Sequence, residues 1–169
     1  HIITGRPTPT ALALPSNRMG RVAGDSIAAS IEKIPGASMF FPGVLGTVIT
    51  RIYGLAFAQT GLTETAAKAE GIDAVSALIE SRSKAGYMPD AGDIAVKVVA
   101  ERATGKLLGV QLAGPEDAGL RINSAAVALQ AGLKVSKLAE VETAYAPPFS
   151  TVYDPIIVAA EQCAKLIRN

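Results

Sequence analysis

A proline-rich loop around Tyr145 is the part of the sequence whose residue types are best suited to chemistry. Residues 144–150 read Ala-Tyr-Ala-Pro-Pro-Phe-Ser, and each proline fixes its own φ and restricts the residue before it. A loop stiffened in this way can hold a phenol hydroxyl where it donates a hydrogen bond or a proton to a reacting group. The competing interpretation, which spacing alone favours, is a structural turn with Tyr145 half buried.

A second tyrosine, Tyr87, lies in a loop of similar composition. Residues 84–90 read Lys-Ala-Gly-Tyr-Met-Pro-Asp, with the tyrosine between a glycine and a proline and with a predicted strand on each side. Such a loop can present Tyr87 to a ligand, because loops placed by a rigid scaffold often carry functional groups. An ordinary connecting loop is the interpretation that composition alone favours.

The sequence gives little support for other kinds of catalytic site or for a metal site. His1 is the only histidine and stands at the terminus, so we expect neither a Ser-His-Asp nor a Cys-His site. The acidic pair Glu116 and Asp117 fits a helix start better than a metal site, and no metal is predicted. No G-x-G-x-x-G or G-x-x-x-x-G-K-S/T motif occurs, so the main fingerprint of any bound nucleotide lies elsewhere.

The single cysteine, Cys163, cannot form a disulfide within the chain, which fits a reducing compartment. It lies in the apolar helical pattern of residues 156–167. We therefore interpret it as a buried structural thiol rather than a reactive one. A cytoplasmic protein is expected.

The composition indicates a protein with an extensive interface. Hydrophobic residues make up 49% of the chain and charged residues 18%, and this excess of apolar surface favours an obligate partner. The net charge of +1 and the lack of a basic cluster argue against nucleic acid as a partner. Because the sequence has no apolar run of about 18 residues, we expect no association with a membrane.

One helix is predicted in the first part of the chain. Residues 17–31 have helical spacing, Ser16 or Asn17 supplies a cap, and the Pro35-Gly36 pair ends the helix. The Gly- and Pro-containing segment before it reads as a connection cut out of something longer.

The rest of the chain is predicted to form strands first and helices later. Alternating β-branched and apolar residues predict strands in residues 46–61 (two strands or one bent hairpin, broken at Gly54), 72–80, 93–101 and 106–112. Helical spacing predicts helices over residues 63–71, 116–131, 135–141 and 155–167. This order is typical of an α+β fold, an antiparallel sheet with helices packed on one side.

Taken in order, several segments resemble the C-terminal part of the pyridine nucleotide-disulfide oxidoreductase family, in the single-cysteine branch of coenzyme A disulfide reductases and NADH oxidases. The most specific is the Tyr-Ala-Pro-Pro-Phe-Ser string that begins at Tyr145. The others are Ser16-Asn17-Arg18-Met19-Gly20-Arg21, Gly46-Thr47, Thr60-Gly61-Leu62, Ala85-Gly86-Tyr87, Gly105-Lys106-Leu107-Leu108-Gly109 and Asp154-Pro155.

The resemblance implies a homodimer formed through residues 44–169, with residues 1–43 as a connection and remnant of an FAD-binding domain. Such an oxidoreductase is a flavoprotein. FAD and NAD(P)H would act in the full-length enzyme, and a small-molecule disulfide or oxygen would accept the electrons. The chain itself is then expected to be inactive and to bind no cofactor tightly. The alternative is a free-standing α+β binding or assembly module, which would need no flavin.

The resemblance also implies roles for six residues. Tyr145 would place its phenol near the partner subunit's redox cysteine, and Tyr87 is a second candidate for the same site. Asn17, Arg18, Met19 and Gly20 match a helix start whose backbone N–H groups approach the edge of the flavin. The chain departs from the family pattern at two positions, Met88 and Lys84. Met88 stands where relatives often have a second tyrosine, and Lys84 where they often have histidine.

Overall fold

The computed structural model describes residues 1–34 and 39–168. The chain divides into two compact units, His1–Gly46 and Thr47–Asn169, and each unit is described by itself.

The first unit is built on one long helix, α1 (Ala13–Glu32). The prediction that this helix begins at residue 17 is wrong, because Ser16 N already donates to Leu12 O at 3.1 Å and closes the first turn. Leu12 occupies the N-cap position without a side-chain cap, so neither Ser16 nor Asn17 caps the helix. The predicted Pro35-Gly36 end lies outside the described residues.

The second unit contains a five-stranded antiparallel sheet in the order β1-β2-β5-β4-β3. Its strands are β1 (Val48–Ile52), β2 (Leu55–Gly61), β3 (Ala74–Arg82), β4 (Asp93–Glu101) and β5 (Leu107–Pro115). Its helices are α2 (Glu64–Ala69), α3 (Ile122–Gln130), α4 (Val135–Leu138) and α5 (Pro155–Arg168), with a 3-10 helix at Glu116–Arg121. The predicted α+β class is confirmed.

Turn residues explain how the strands reverse. Tyr53 and Gly54, both with positive φ (48° and 80°), join β1 to β2, so the break predicted at Gly54 separates two strands of a hairpin. The strands predicted at residues 93–101 and 106–112 are also present, as β4 and β5, and they pair with each other antiparallel. Thr63 caps α2 by accepting a hydrogen bond from Ala66 N at 3.0 Å.

The two faces of the sheet differ in burial. Alternate residues of β4, such as Ile94, Val96 and Val98, are buried on the face that α3, α5 and the 3-10 helix cover. On the opposite face, large apolar side chains such as Leu55, Phe57 and Leu78 stay exposed. Burial of the covered face supplies the main apolar stabilisation of this unit.

The helix predicted over residues 116–131 is in fact two elements. A 3-10 helix covers its first six residues and α3 follows. The tight turn lets Gly119 approach the β1–β2 hairpin, where a Cβ would lie 2.6 Å from Ile49 Cδ1 and 2.8 Å from Ala56 Cβ.

Among the described residues, no helix has both the length and the apolar run needed to cross a bilayer.

Candidate functional site

The two tyrosine loops lie side by side in the second unit. One connects β3 to β4 and carries Tyr87, and the other precedes α5 and carries Tyr145. Ala85 N in the first loop donates a hydrogen bond to Pro147 O in the second at 3.3 Å. The structure therefore brings together two segments that are about 60 residues apart in sequence.

The Tyr87 loop is closed at its base and turned at its centre. Ser83 N donates to Gly92 O at 2.8 Å, and Gly92 N donates back to Ser83 Oγ at 3.1 Å. Inside the loop, Met88 N donates to Ala85 O at 2.9 Å. This backbone network fixes the course of the chain around Tyr87.

Lys84 anchors the same loop through two carboxylates. Its side chain is 5% exposed, and its Nζ lies 2.6 Å from Asp117 Oδ2 and 2.7 Å from Asp90 Oδ2. The hydrogen bond to Asp117, followed by that to Asp90, raises the pKa of Lys84, and the bond to Lys84 lowers the pKa of Asp90. Lys84 therefore stays an ammonium that ties the loop to the 3-10 helix, and it does not serve as a base.

The Tyr145 loop ends in a tight turn. Phe149 N and Ser150 N both donate to Ala146 O, at 2.9 and 3.2 Å. Within the described part of the chain, the buried Ser150 hydroxyl has no hydrogen-bond partner. The turn encloses Pro147, whose carbonyl accepts the hydrogen bond from Ala85 N.

Arg121, the last residue of the 3-10 helix, contacts both loops. Its Nη2 donates to Ser83 O at 2.6 Å and to Phe149 O at 2.7 Å. Its Nε donates to Asp154 Oδ2 at 3.0 Å, and both side chains of this pair are nearly buried. One guanidinium thus bonds to three chain segments.

Asp154 uses its two oxygens for different purposes. Its Oδ1 accepts a hydrogen bond from Ile156 N at 2.9 Å and caps α5, while Oδ2 pairs with Arg121. Pro155 then fills the first helical position, where its missing N–H is harmless. The start of α5 and the Tyr145 loop are therefore held to the same arginine.

Both tyrosines point out of this scaffold. Tyr87 is 75% exposed and Tyr145 is 46% exposed. Within residues 1–34 and 39–168, neither phenol hydroxyl has a hydrogen-bond partner. The arrangement presents two phenol donors on a braced surface, where they can act on a group that this chain does not itself supply.

The four residues singled out in the first unit lie along α1 rather than at its start. Asn17, Arg18, Met19 and Gly20 occupy its second turn and are exposed. Their backbone N–H groups are engaged inside the helix, so the predicted backbone contact with a flavin does not fit them. The N–H groups without intrahelical partners belong to residues 12–14.

The first unit nevertheless has a surface depression of about 300 Å³ beside these residues. Two guanidinium groups and several apolar side chains line it: Arg18, Arg21, Val22, Met39, Phe40, Phe41 and Pro42. Such a lining suits an aromatic or anionic group. The described residues form no closed cradle that would hold a dinucleotide.

Sequence reasoning missed the residues that brace the loops. In the sequence, Lys84 stands out only as a departure from the family pattern, and Asp117 only as part of a predicted helix start. Arg121 is the one basic residue in the predicted helix of residues 116–131 and has small and apolar neighbours. That isolation could have indicated an arginine that is paired within the fold. Asp154 before Pro155 was a second one, as a helix-cap pattern.

Comparison with known proteins gives a consistent result. Residues 48–155 match the family model described as pyridine nucleotide-disulphide oxidoreductase, dimerisation domain. The NAD(P)H sulfur oxidoreductase (CoA-dependent) of Pyrococcus abyssi is 42% identical over 95% of this chain and 34% of its own length. The NADH oxidase of Methanocaldococcus jannaschii is 32% identical over 99% of this chain and 36% of its own length.

A solved structure shows the same fold. The NAD-dependent persulfide reductase from A. fulgidus superposes with a TM-score of 0.87 and 31% identity, over 97% of this chain and 29% of that one. The chain spans about a third of the length of the curated relatives it matches.

Proposed function

Since this chain belongs to the pyridine nucleotide-disulphide oxidoreductase family and carries its dimerisation domain, we propose that it pairs two subunits of an FAD-dependent NAD(P)H oxidoreductase and completes the partner's active site. The proposed substrates are small sulfur compounds of the coenzyme A disulfide or persulfide class. The observation that carries the proposal is the pair of exposed tyrosines, Tyr145 and Tyr87, on hydrogen-bonded and braced loops.

The proposed role of the tyrosines follows from thiol chemistry. When bound, FAD and NAD(P)H supply the electrons that keep a cysteine of the enzyme reduced. That thiolate attacks one sulfur of the substrate disulfide, the S–S bond breaks, and the other sulfur leaves as a thiolate. A tyrosine hydroxyl is a hydrogen-bond donor, so it can stabilise the departing thiolate by donating a hydrogen bond to it.

The choice of acceptor rests on the relatives. The sulfur oxidoreductase of Pyrococcus abyssi shares 42% identity with this chain, which favours a sulfur acceptor. The NADH oxidase of Methanocaldococcus jannaschii, at 32% identity, makes oxygen the second candidate. Comparing NAD(P)H oxidation with coenzyme A disulfide and with oxygen as acceptors separates the two.

Dimer formation through residues 44–169 is part of the proposal. It is supported by the family's dimerisation domain and by the large exposed apolar side chains of Leu55, Phe57 and Leu78 on one face of the sheet. Sedimentation equilibrium over a range of concentrations tests it. A dimer is expected, and a monomer at high concentration would count against assembly through this domain alone.

We further propose that α1 faces the flavin, through the exposed surface of Asn17, Arg18, Met19 and Gly20 rather than through their backbone N–H groups. The depression lined by Arg18 and Phe40 supports this assignment. Replacing Arg18 by alanine should lower the FAD content of the full-length enzyme. Replacing Arg102, an exposed residue that follows β4 in the second unit, should leave the FAD content unchanged.

We also propose that the enzyme is cytoplasmic, because its lone cysteine fits a reducing compartment.

The decisive experiment is Tyr145→Phe in the full-length enzyme. Loss of one hydrogen bond to a charged group, worth about 1.5–3 kcal/mol, should slow disulfide reduction roughly 10- to 100-fold. Flavin reduction by NAD(P)H should not change. Tyr53→Phe, at the fully exposed tip of the β1–β2 hairpin, is the matched control. Unchanged disulfide turnover in Tyr145→Phe would overturn the proposed role.

A further inference from the structure

Arg121 is the point at which the two tyrosine loops and the start of α5 are tied together. Its guanidinium reaches Ser83 O beside the Tyr87 loop, Phe149 O in the Tyr145 loop and Asp154 at the cap of α5, all within 3.0 Å. These acceptors lie 38, 28 and 33 residues away in sequence, so their bonds to Arg121 are tertiary contacts.

The shape of the side chain matters as much as its charge. A guanidinium is planar and offers several N–H donors in a fixed fork, whereas an ammonium is a compact charge with no such geometry. At Arg121 the fork serves a carboxylate and two carbonyl oxygens at once, with 13% of the side chain exposed. A lysine at this position can keep the pairing with Asp154 but cannot reproduce all three bonds.

We propose that Arg121 is a positioning residue for the reaction, holding Tyr145 and Tyr87 at a fixed spacing toward the sulfur substrate. This inference rests on the proposed function, because it assigns Arg121 to the same site. Arg121 touches no reacting atom and acts through the loops that carry the phenols.

The two loops depend on Arg121 to different extents. The Tyr87 loop has a second anchor, the buried Lys84 between Asp90 and Asp117. Among the described hydrogen bonds, those that tie the Tyr145 loop to other elements are the bond from Arg121 to Phe149 O and the bond from Ala85 N to Pro147 O. Weakening the hydrogen bonds of Arg121 should therefore increase the mobility of residues 144–150 more than that of residues 84–90.

The test is Arg121→Lys in the full-length enzyme, with Arg51→Lys as the control in an exposed ion pair with Glu116. Hydrogen exchange should rise in residues 144–150, rise less in residues 84–90, and stay unchanged in the control. Disulfide reduction should slow about 10-fold, the effect of one misplaced hydrogen bond, with flavin reduction unaffected. An equal slowing of both half-reactions would indicate general damage and overturn the proposal.

A double variant separates this inference from the proposed function. If Arg121 acts through Tyr145, Arg121→Lys should add little to the slowing already caused by Tyr145→Phe. Full multiplication of the two effects would overturn the role of Arg121 and leave that of Tyr145 standing. Wild-type turnover in Tyr145→Phe alone would overturn both.

If Arg121→Lys fails to fold, Asp154→Asn provides the same test. It keeps an oxygen to cap α5 but removes the charge that anchors the guanidinium. The same ranking of hydrogen exchange and the same coupling to Tyr145→Phe are expected. Their absence in a folded Asp154→Asn enzyme would count against the proposal.

Discussion

Glu64, the first residue of α2, accepts a hydrogen bond from the ammonium of Lys97 on β4 at 2.8 Å. The same carboxylate accepts from Lys68 Nζ and from Ser76 Oγ, each at 2.6 Å. These bonds, with that of Lys68 the largest contribution, lower the pKa of Glu64 from 4.5 to about 2. The carboxylate thus fastens α2 to two strands.

Glu64→Gln should make the free energy of unfolding of the chain less dependent on pH in the acid range. Because the folded pKa lies below the unfolded value, the contribution of Glu64 is complete above about pH 5 and is lost as the pH falls toward 2. At neutral pH the variant should be less stable by about 1 kcal/mol, since solvent screens this partly exposed carboxylate. Urea unfolding of both chains between pH 2 and 7 measures the difference, which should shrink with acid; a constant difference would contradict the assignment.

Gly109→Ala should destabilise the chain by about 3 kcal/mol or more, or prevent folding. A Cβ at this position would lie 2.0 Å from Leu62 O and 2.8 Å from Leu62 N, both backbone atoms that cannot move aside. Urea unfolding measures the loss.

Gly24→Ala, inside α1, is the matched control for Gly109→Ala. Nothing lies within 4 Å of its added methyl group, and alanine favours a helix over glycine by up to about 1 kcal/mol. Equal stability of the two variants would show that Leu62 and Gly109 do not approach as closely as described.

Cys163 should resist alkylation in the folded chain. Burial raises the pKa of its thiol to about 11, from a usual 9.0, which alone reduces the reactive thiolate roughly 100-fold at neutral pH. Iodoacetamide labelling followed by mass spectrometry, with the urea-unfolded chain as reference, checks this. Rapid labelling under native conditions would reopen a reactive role for this cysteine.

Ile94→Ala should cost about 2–5 kcal/mol, because it empties space on the covered face of the sheet. Ile94 is 1% exposed, whereas Leu78 on the opposite face is 64% exposed. Leu78→Ala should therefore change the stability of the monomer by less than about 0.5 kcal/mol. Chemical unfolding at a concentration where the chain is monomeric compares the two, and a similar loss in both would contradict the one-sided core.

Local patterns predicted the sheet well, because alternation and turn residues act over a few positions. Gly54 marked the break of the first hairpin, and the alternation in residues 93–101 marked β4. The start of α1 was misplaced because its N-cap residue, Leu12, has no capping side chain that the sequence could reveal. The division of residues 116–131 was missed because it depends on the contact of Gly119 with a distant hairpin.

The candidate site was predictable only in part for the same reason. Proline and glycine around Tyr145 and Tyr87 are local signals, and both tyrosines were singled out. What braces their loops is a set of contacts between residues far apart in sequence, chiefly those of Arg121. Periodicity carries no information about such contacts.

The contacts of the 3-10 helix constrain the number of residues between Asp117 and Arg121 as well as the identity of these two side chains. Asp117 and Arg121 are four residues apart, so on a helix with three residues per turn they point about 120° apart. One meets Lys84 and the other meets Asp154. Adding or removing a residue between them would turn one of these side chains away from its partner. Lineages that keep this site should therefore preserve the length of the segment more strictly than the identity of its exposed Leu120.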